Sequence, residues 1–257
     1  ASFIDYIIAD EVVIPREQGI HYCEQIIYLP HSYQAKDDTR EISDKTLTRT
    51  DVGLPEAGFV FCCFNASCKI SQKEFDIWMR LLQQVEDSVL WLFSSNEWAQ
   101  ANLLTEAQKR GVAPERIIFA DRVSHADHLA RYQLADVFLD TFNYTADTQA
   151  SDALWAGLPL ITRLGWGFPA RVAGSLLTAI DLPELITNSE SEYEQLALDL
   201  AQNPERLAAL KEKLAENRLT APLFNPELFT QHIEEAYQQA YQRYFDGEPL
   251  SLIVVQP

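Results

Sequence analysis

Apolar residues in this chain gather in short unbroken runs, separated by helix-length stretches in which they recur every three or four positions. The first clear run is Phe59-Val60-Phe61-Cys62-Cys63-Phe64. A run of that length without a polar break suits a strand covered on both faces, as in a parallel sheet. Asn65 to Ile70 then reads as a loop. Ser71 can cap the next helix with Glu74 as its capping-box partner, and Phe75, Trp78, Leu81, Leu82 and Val85 follow at helical spacing. The alternation continues. Strands are predicted at Ser88 to Phe93, Arg116 to Phe119, Asp136 to Asp140, Leu158 to Thr162 and near Leu185-Ile186. Between them lie helices from Trp98 to Arg110, stopped by Gly111, from Ser124 or Asp127 to about Gln133, from Ser151 to Ala156, and from Pro169 to Leu177. Amphipathic helices at Glu192 to Leu200, Pro204 to Leu219 and Pro226 to Phe245 close the chain.

Repeated strand–helix alternation predicts a Rossmann-like α/β fold, a doubly wound parallel sheet with helices on both faces. The division expected is 1–57 for N-terminal short strands and a connecting segment, 58–190 for the Rossmann-like domain, and 191–257 for packing helices. In the first part, Ile4 to Ala9, Val12 to Ile14 and Ile26 to Pro30 read as short strands. Residues 34–57 are polar, without an apolar period, and read as a long, mobile connection. The opening is already structured sequence, as expected of an excised domain. In a doubly wound sheet, ligands sit at the carboxyl ends of the strands. Chemistry is therefore expected in loops 65–70, 120–128, 141–151 and 163–170.

Bulk properties narrow the classes. The 257 residues are 47% hydrophobic, enough for a sizeable core. The net charge of −18 repels nucleic acid and anionic membranes, although a local site can still be cationic. No stretch of ~18 apolar residues exists to span a membrane. No signal peptide is visible. Cys23, Cys62, Cys63 and Cys68 form no C-x-x-C pair and lack histidines at ligand spacing, so reduced thiols in a cytoplasmic protein are expected rather than a zinc site. No G-x-G-x-x-G, P-loop, H-E-x-x-H or G-x-S-x-G motif occurs.

Several residues in the strand-end loops could carry chemistry. Thr148, Ser151 and Asp152 open a helix, where free amides suit a phosphate and a carboxylate could accept from ribose hydroxyls. They could equally only cap that helix. Lys69 could place a charge on a diphosphate or simply face solvent. His125, His128 and Arg131 follow another strand end, where imidazole can stack on a base and arginine can bond its edge. Trp166 stands in a Gly-Trp-Gly loop that could expose it near a ligand. Trp78, Trp91 and Trp155 fall at buried spacings.

The segment Leu134 to Thr141 with Asp152-Ala153-Leu154-Trp155-Ala156-Gly157-Leu158-Pro159 closely resembles the C-terminal half of protein O-linked N-acetylglucosamine transferases and the related SPINDLY-type proteins. Phe64-Asn65 with Lys69-Ile70, Ser88 to Leu92, Arg116 to Phe119, Arg171-Val172-Ala173, Ala221 to Asn225 and the opening through Gln34 extend the likeness over nearly the whole chain. The resemblance implies the second half of a two-Rossmann-domain GT-B glycosyltransferase. It implies that such an enzyme moves a sugar, N-acetylglucosamine, from UDP to protein Ser/Thr hydroxyls with inversion. It implies Lys69 on the diphosphate as the catalytic cation, and His128, Arg131 and the Val123 backbone by the uracil. It further implies amides around Asp147, Thr148 and Gln149 on phosphate, and Asp152 on ribose. No metal or cofactor is expected beyond the UDP-sugar donor. The expected partners are the donor, an acceptor protein, an N-terminal catalytic domain and tetratricopeptide repeats. Departures fall at Asp147-Thr148-Gln149, where the family usually has His-Thr-Thr, at Ala66 in place of glutamine, and across Gly165 to Arg171. Two readings follow: an enzyme part, favoured by Lys69, His128, Arg131 and Asp152, and a catalytically degenerate binding or scaffold module, favoured by Asp147 and Ala66.

Overall fold

The computed structural model describes residues 3–257. The strands are β1 (Tyr6–Ala9), β2 (Gln25–Tyr28), β3 (Val60–Cys63), β4 (Val89–Phe93), β5 (Ile117–Ala120), β6 (Val137–Leu139), β7 (Leu160–Arg163), β8 (Ile186–Thr187) and β9 (Ile253–Val254). Six of them form one sheet in the order β5-β4-β3-β6-β7-β8, and every pairing is parallel. All four residues of β3 and all three of β6 are buried, which is why these central strands read as unbroken apolar runs. The chain winds outward from β3 through β4 to β5, then returns to place β6 against the other side of β3. That reversal opens a crevice beyond the carboxyl ends of β3 and β6.

The helices are α1 (Gln72–Gln84), α2 (Glu97–Lys109), α3 (His125–Tyr132), α4 (Thr148–Trp155), α5 (Val172–Ala179), α6 (Glu190–Gln202), α7 (Pro204–Thr220) and α8 (Pro226–Phe245). α1 starts at the expected capping box: Ser71 donates through its backbone N–H and its hydroxyl to Glu74. Ser124 caps α3 by accepting from the Asp127 amide.

Other elements differ from expectation for visible reasons. Val12 to Ile14 is a turn rather than a strand, because Asp10 Oδ1 accepts from the amides of Val12 and Val13. The helix expected over Pro169 to Leu177 is a 3-10 turn at Phe168–Ala170 followed by α5. Arg171 interrupts it at φ −130°, with its guanidinium donating to Val12 O and Gly165 O. α4 begins at Thr148, three residues before the expected Ser151.

A second, three-stranded parallel sheet has the order β1-β2-β9. It brings β9, from the carboxyl-terminal part of the chain, beside β2 from the amino-terminal part. Phe229, Ile233, Ala236 and Ala240 of α8 pack into one cluster with Ile27, Leu29, Ile253 and Val255.

Residues 34–57 contain only a 3-10 turn at Thr50–Val52, as their lack of period predicts. They are nonetheless pinned rather than free. Arg49 donates to Leu134 O and Gly58 O and pairs with Asp136, and the Ser43 amide donates to Ala126 O. This strap runs past α3 and α4, and so past the crevice.

Candidate functional site

The crevice is organised by a buried carboxylate at the end of β6. Asp140 accepts from the amides of Thr141 and Ala146, from Asn65 Nδ2 and from Thr162 Oγ1. Burial pushes its pKa up to about 6, with those bonds opposing the rise. Asn65 also donates to Thr141 Oγ1, tying the loop after β3 to the loop after β6. Tyr193 donates to Asp140 O and receives a bond from Trp78 Nε1. Together these bonds fix loop 141–147 and thereby aim the amino end of α4 into the crevice.

Between that helix end, α3 and the tip of β3 lies a hollow of about 440 Å³. It is lined by Phe64, Ala66, Phe93, Arg122, Val123, His125, His128, Arg131, Gln149 and Asp152. Of the residues expected from sequence, the fold therefore brings Val123, His128, Arg131, Gln149 and Asp152 together. Asp147 and Thr148 stand immediately before Gln149, as the N-cap and first residue of α4. Lys69 lies beside the same loop: its Nζ donates to Thr145 O at 3.1 Å and sits 3.9 Å from the centre of the Tyr144 ring. Trp166 is exposed and outside the hollow, with its ring 6.2 Å from that of His21.

Electrostatics differentiate these groups. His128 packs against Phe64 and Tyr132, and burial, with Arg131 and His125 nearby, drops its pKa to about 3. The imidazole is therefore neutral at physiological pH and offers a flat, uncharged face. Arg131 lies 4.7 Å over the Phe64 ring and donates through Nη1 to Asp121 O. Among the described residues its buried Nε has no partner, and neither do the buried Asn65 Oδ1, Ser151 Oγ and Arg40 Nη2. Such orphaned groups are rare in a settled interior and mark places where a ligand can complete the bonding. Burial lowers the pKa of Lys69, while Asp140 and Asp147 oppose the shift. Asp152 is shifted upward by burial, against the pull of Arg40 and His125.

Sequence reasoning missed the cations that the strap contributes. Arg40 Nη1 meets Asp152 Oδ1 at 2.7 Å, and His125 Nε2 approaches the same oxygen at 3.4 Å. Trp155 Nε1 donates to Arg40 O, and the guanidinium lies near the rings of Trp155 and Phe224. Lys36 Nζ meets Asp147 Oδ1 at 3.2 Å. A polar segment without period carries no local signal for such contacts. The chemistry available here is that of an anion site: cations, a helix amino end, a flat neutral ring and one carboxylate able to accept from hydroxyls. Among the described residues, no group of three or more His, Cys, Asp or Glu could hold a metal ion, and no helix is long and apolar enough to cross a membrane.

Comparison with known proteins adds to this geometry. A probable UDP-N-acetylglucosamine–peptide N-acetylglucosaminyltransferase SEC of Arabidopsis thaliana is 37% identical over 254 residues, covering 96% of this chain and 26% of the relative. A probable transferase of the same designation, SPINDLY, from Oryza sativa subsp. japonica is 32% identical over 97% of this chain and 27% of its own length. The chain thus spans about a quarter of the length of these relatives. The solved structure of a Thermobaculum terrenum O-GlcNAc transferase mutant superposes with a TM-score of 0.84 at 28% identity, over 93% of this chain and 45% of that one. Anabaena Alr3699/HepE in complex with UDP and glucose shares the fold, with a TM-score of 0.59 at 12% identity over 91% of this chain and 71% of that one. Residues 39–233 match the family described as glycosyl transferase family 41, and the chain belongs to that family.

Proposed function

We propose that this chain is the nucleotide-sugar-binding half of an inverting glycosyltransferase that takes a sugar, N-acetylglucosamine, from a UDP donor to the Ser/Thr hydroxyls of a protein. The observation that carries the reading is the hollow itself. It combines the neutral His128 ring, the unpartnered Arg131 Nε and the Asp152 carboxylate, with Lys69 and the amino end of α4 beside it. The designations of the Arabidopsis and Oryza relatives support the donor and acceptor classes.

In this reading His128 and Arg131 hold the uracil beside the Val123 backbone. Asp152 accepts from ribose hydroxyls, and the amides at Asp147, Thr148 and Gln149 bind phosphate. The acceptor hydroxyl attacks the anomeric carbon from the side opposite UDP. The bond from that carbon to the β-phosphate oxygen breaks, and its electron pair stays on the diphosphate. Lys69 meets that charge as it develops, where a fixed cation is worth most. The hydroxyl proton passes to a base supplied by the N-terminal catalytic domain proposed for the full-length protein. Tetratricopeptide repeats there would select acceptors, in keeping with relatives about four times as long. Within the chain, 58–190 is the nucleotide-sugar domain, 191–257 supplies packing helices, and 1–57 supplies short strands and the strap.

Calorimetric titration with UDP tests the reading. Binding by the unaltered chain should weaken at least tenfold in Lys69→Met and in Asp152→Ala. Placing a unit charge ~4 Å from a phosphate is worth roughly 1 to 4 kcal/mol as the effective dielectric falls from that of water to that of a protein surface. No binding of UDP would favour the second reading, a scaffold that kept the fold and lost the ligand, for which the Asp147 carboxylate is the supporting feature.

A further inference from the structure

A carboxylate at the start of a helix meant to receive a diphosphate is a liability, because it takes up the positive helix end and repels the ligand. Asp147 occupies that place at the start of α4, and its side chain makes no capping bond to the helix amides. Its oxygens are engaged from the strap instead. Gln34 Nε2 donates to Oδ2 at 3.1 Å, and Lys36 Nζ meets Oδ1 at 3.2 Å while also donating to Gln34 Oε1. The Lys36 side chain is only 10% exposed and that of Asp147 30%, so bulk water screens the pair weakly. Lys69 also interacts electrostatically with the same carboxylate.

We propose that Lys36 is a positioning residue of the donor site: by neutralising Asp147 it leaves the amino end of α4 and Lys69 free to act on a diphosphate. The inference rests on the nucleotide-sugar reading of the hollow. With Lys36 present, Lys36, Lys69 and Asp147 sum to one positive charge; without it they sum to zero. One uncompensated charge ~6 Å from a phosphate, at an effective dielectric of ~40, corresponds to about a tenfold change in affinity.

The test is calorimetric titration with UDP of the 257-residue chain and of Lys36→Met, Lys36→Arg, Asp147→Asn and the double variant Lys36→Met/Asp147→Asn. Lys36→Met should weaken UDP about tenfold. Asp147→Asn should bind as tightly as the unaltered chain or tighter, the double variant should return to within about twofold of it, and Lys36→Arg should retain affinity. A lysine that only fastens the strap gives another pattern: the double variant, altered at both ends of the clasp, stays as weak as Lys36→Met, which overturns the proposal. Unchanged affinity in Lys36→Met overturns it too, while leaving the nucleotide reading intact. Failure of the unaltered chain to bind UDP overturns both.

Discussion

Replacing Arg40 by Met should destabilise the chain by about 3 kcal/mol, because it breaks one buried ion pair. Asp152 is 5% exposed and Arg40 11%, and their 2.7 Å contact is among the least exposed ion pairs described. Removing one member of a buried pair costs roughly 3 to 5 kcal/mol, because the other charge remains without its partner. Methionine keeps an apolar stem against Trp155 and Phe224 but loses the cation–π contacts, worth about 0.5 kcal/mol or more each. His125 Nε2 at 3.4 Å from the same oxygen offsets part of the loss, which sets the expectation at the lower end of the range. Burial already raises the Asp152 pKa, and Arg40 is the first of the groups holding it down, so Arg40→Met should raise it further. A folded pKa above the unfolded value means that the deficit is fully expressed at neutral pH and shrinks as falling pH protonates Asp152. Urea unfolding of the unaltered chain, Arg40→Met, Asp152→Asn and the double variant measures this, at pH 7 and at pH 5. The double variant should recover about 2 kcal/mol relative to the sum of the singles. A deficit below about 1 kcal/mol, or strict additivity, would show that the strap is not held by this pair and that the reasoning is wrong.

Two further outcomes follow from the same structure. His128 titrates near 3 when folded and near 6.5 when unfolded, so its contribution to stability is complete above pH 6.5 and is lost as pH falls toward 3. Between pH 7 and pH 5 this amounts to about 2 kcal/mol. His128→Phe, which keeps a ring against Phe64 and Tyr132, should flatten the difference in unfolding free energy between those pH values; an unchanged slope would mean that the histidine is not buried as described. Gly58 has φ +97°, and a Cβ there would stand 2.1 Å from the Asp87 carbonyl oxygen. Gly58→Ala therefore forces backbone against backbone at the entry to β3 and should cost about 3 kcal/mol. Thermal unfolding should drop by about 8 °C for a chain of this size; a fall of less than 2 °C would refute the contact.

What the sequence made legible depended on whether the signal was local. β3 and β6 are covered on both faces, so every position had to be apolar, and the runs at Phe59 to Phe64 and Asp136 to Asp140 announced them. The capping box at Ser71 and Glu74 and the bounds of α8 at Pro226 and Phe245 are likewise set by neighbouring residues. β9 is two residues long and exists because Ile253 pairs with Ile27 across the length of the chain, which no window of sequence contains. The break before α5 comes from Arg171 reaching Val12 and Gly165. In the site, His128, Arg131 and Asp152 were found because their types and loop positions resemble a known family, and the fold brings them to one hollow. Lys36 and Arg40 were not found, since each meets its partner more than a hundred residues away. The net charge of −18 left an anion site open without locating its cations. It describes the sum over the whole molecule, whereas affinity for a diphosphate depends on which charges lie within about a Debye length of it, ~10 Å in ordinary buffer. Here two strap cations neutralise the carboxylates at the start of α4, leaving Lys69 and Arg131 to set the local sign. A segment read from sequence as a connection thus supplies the cations that meet the carboxylates at the start of α4.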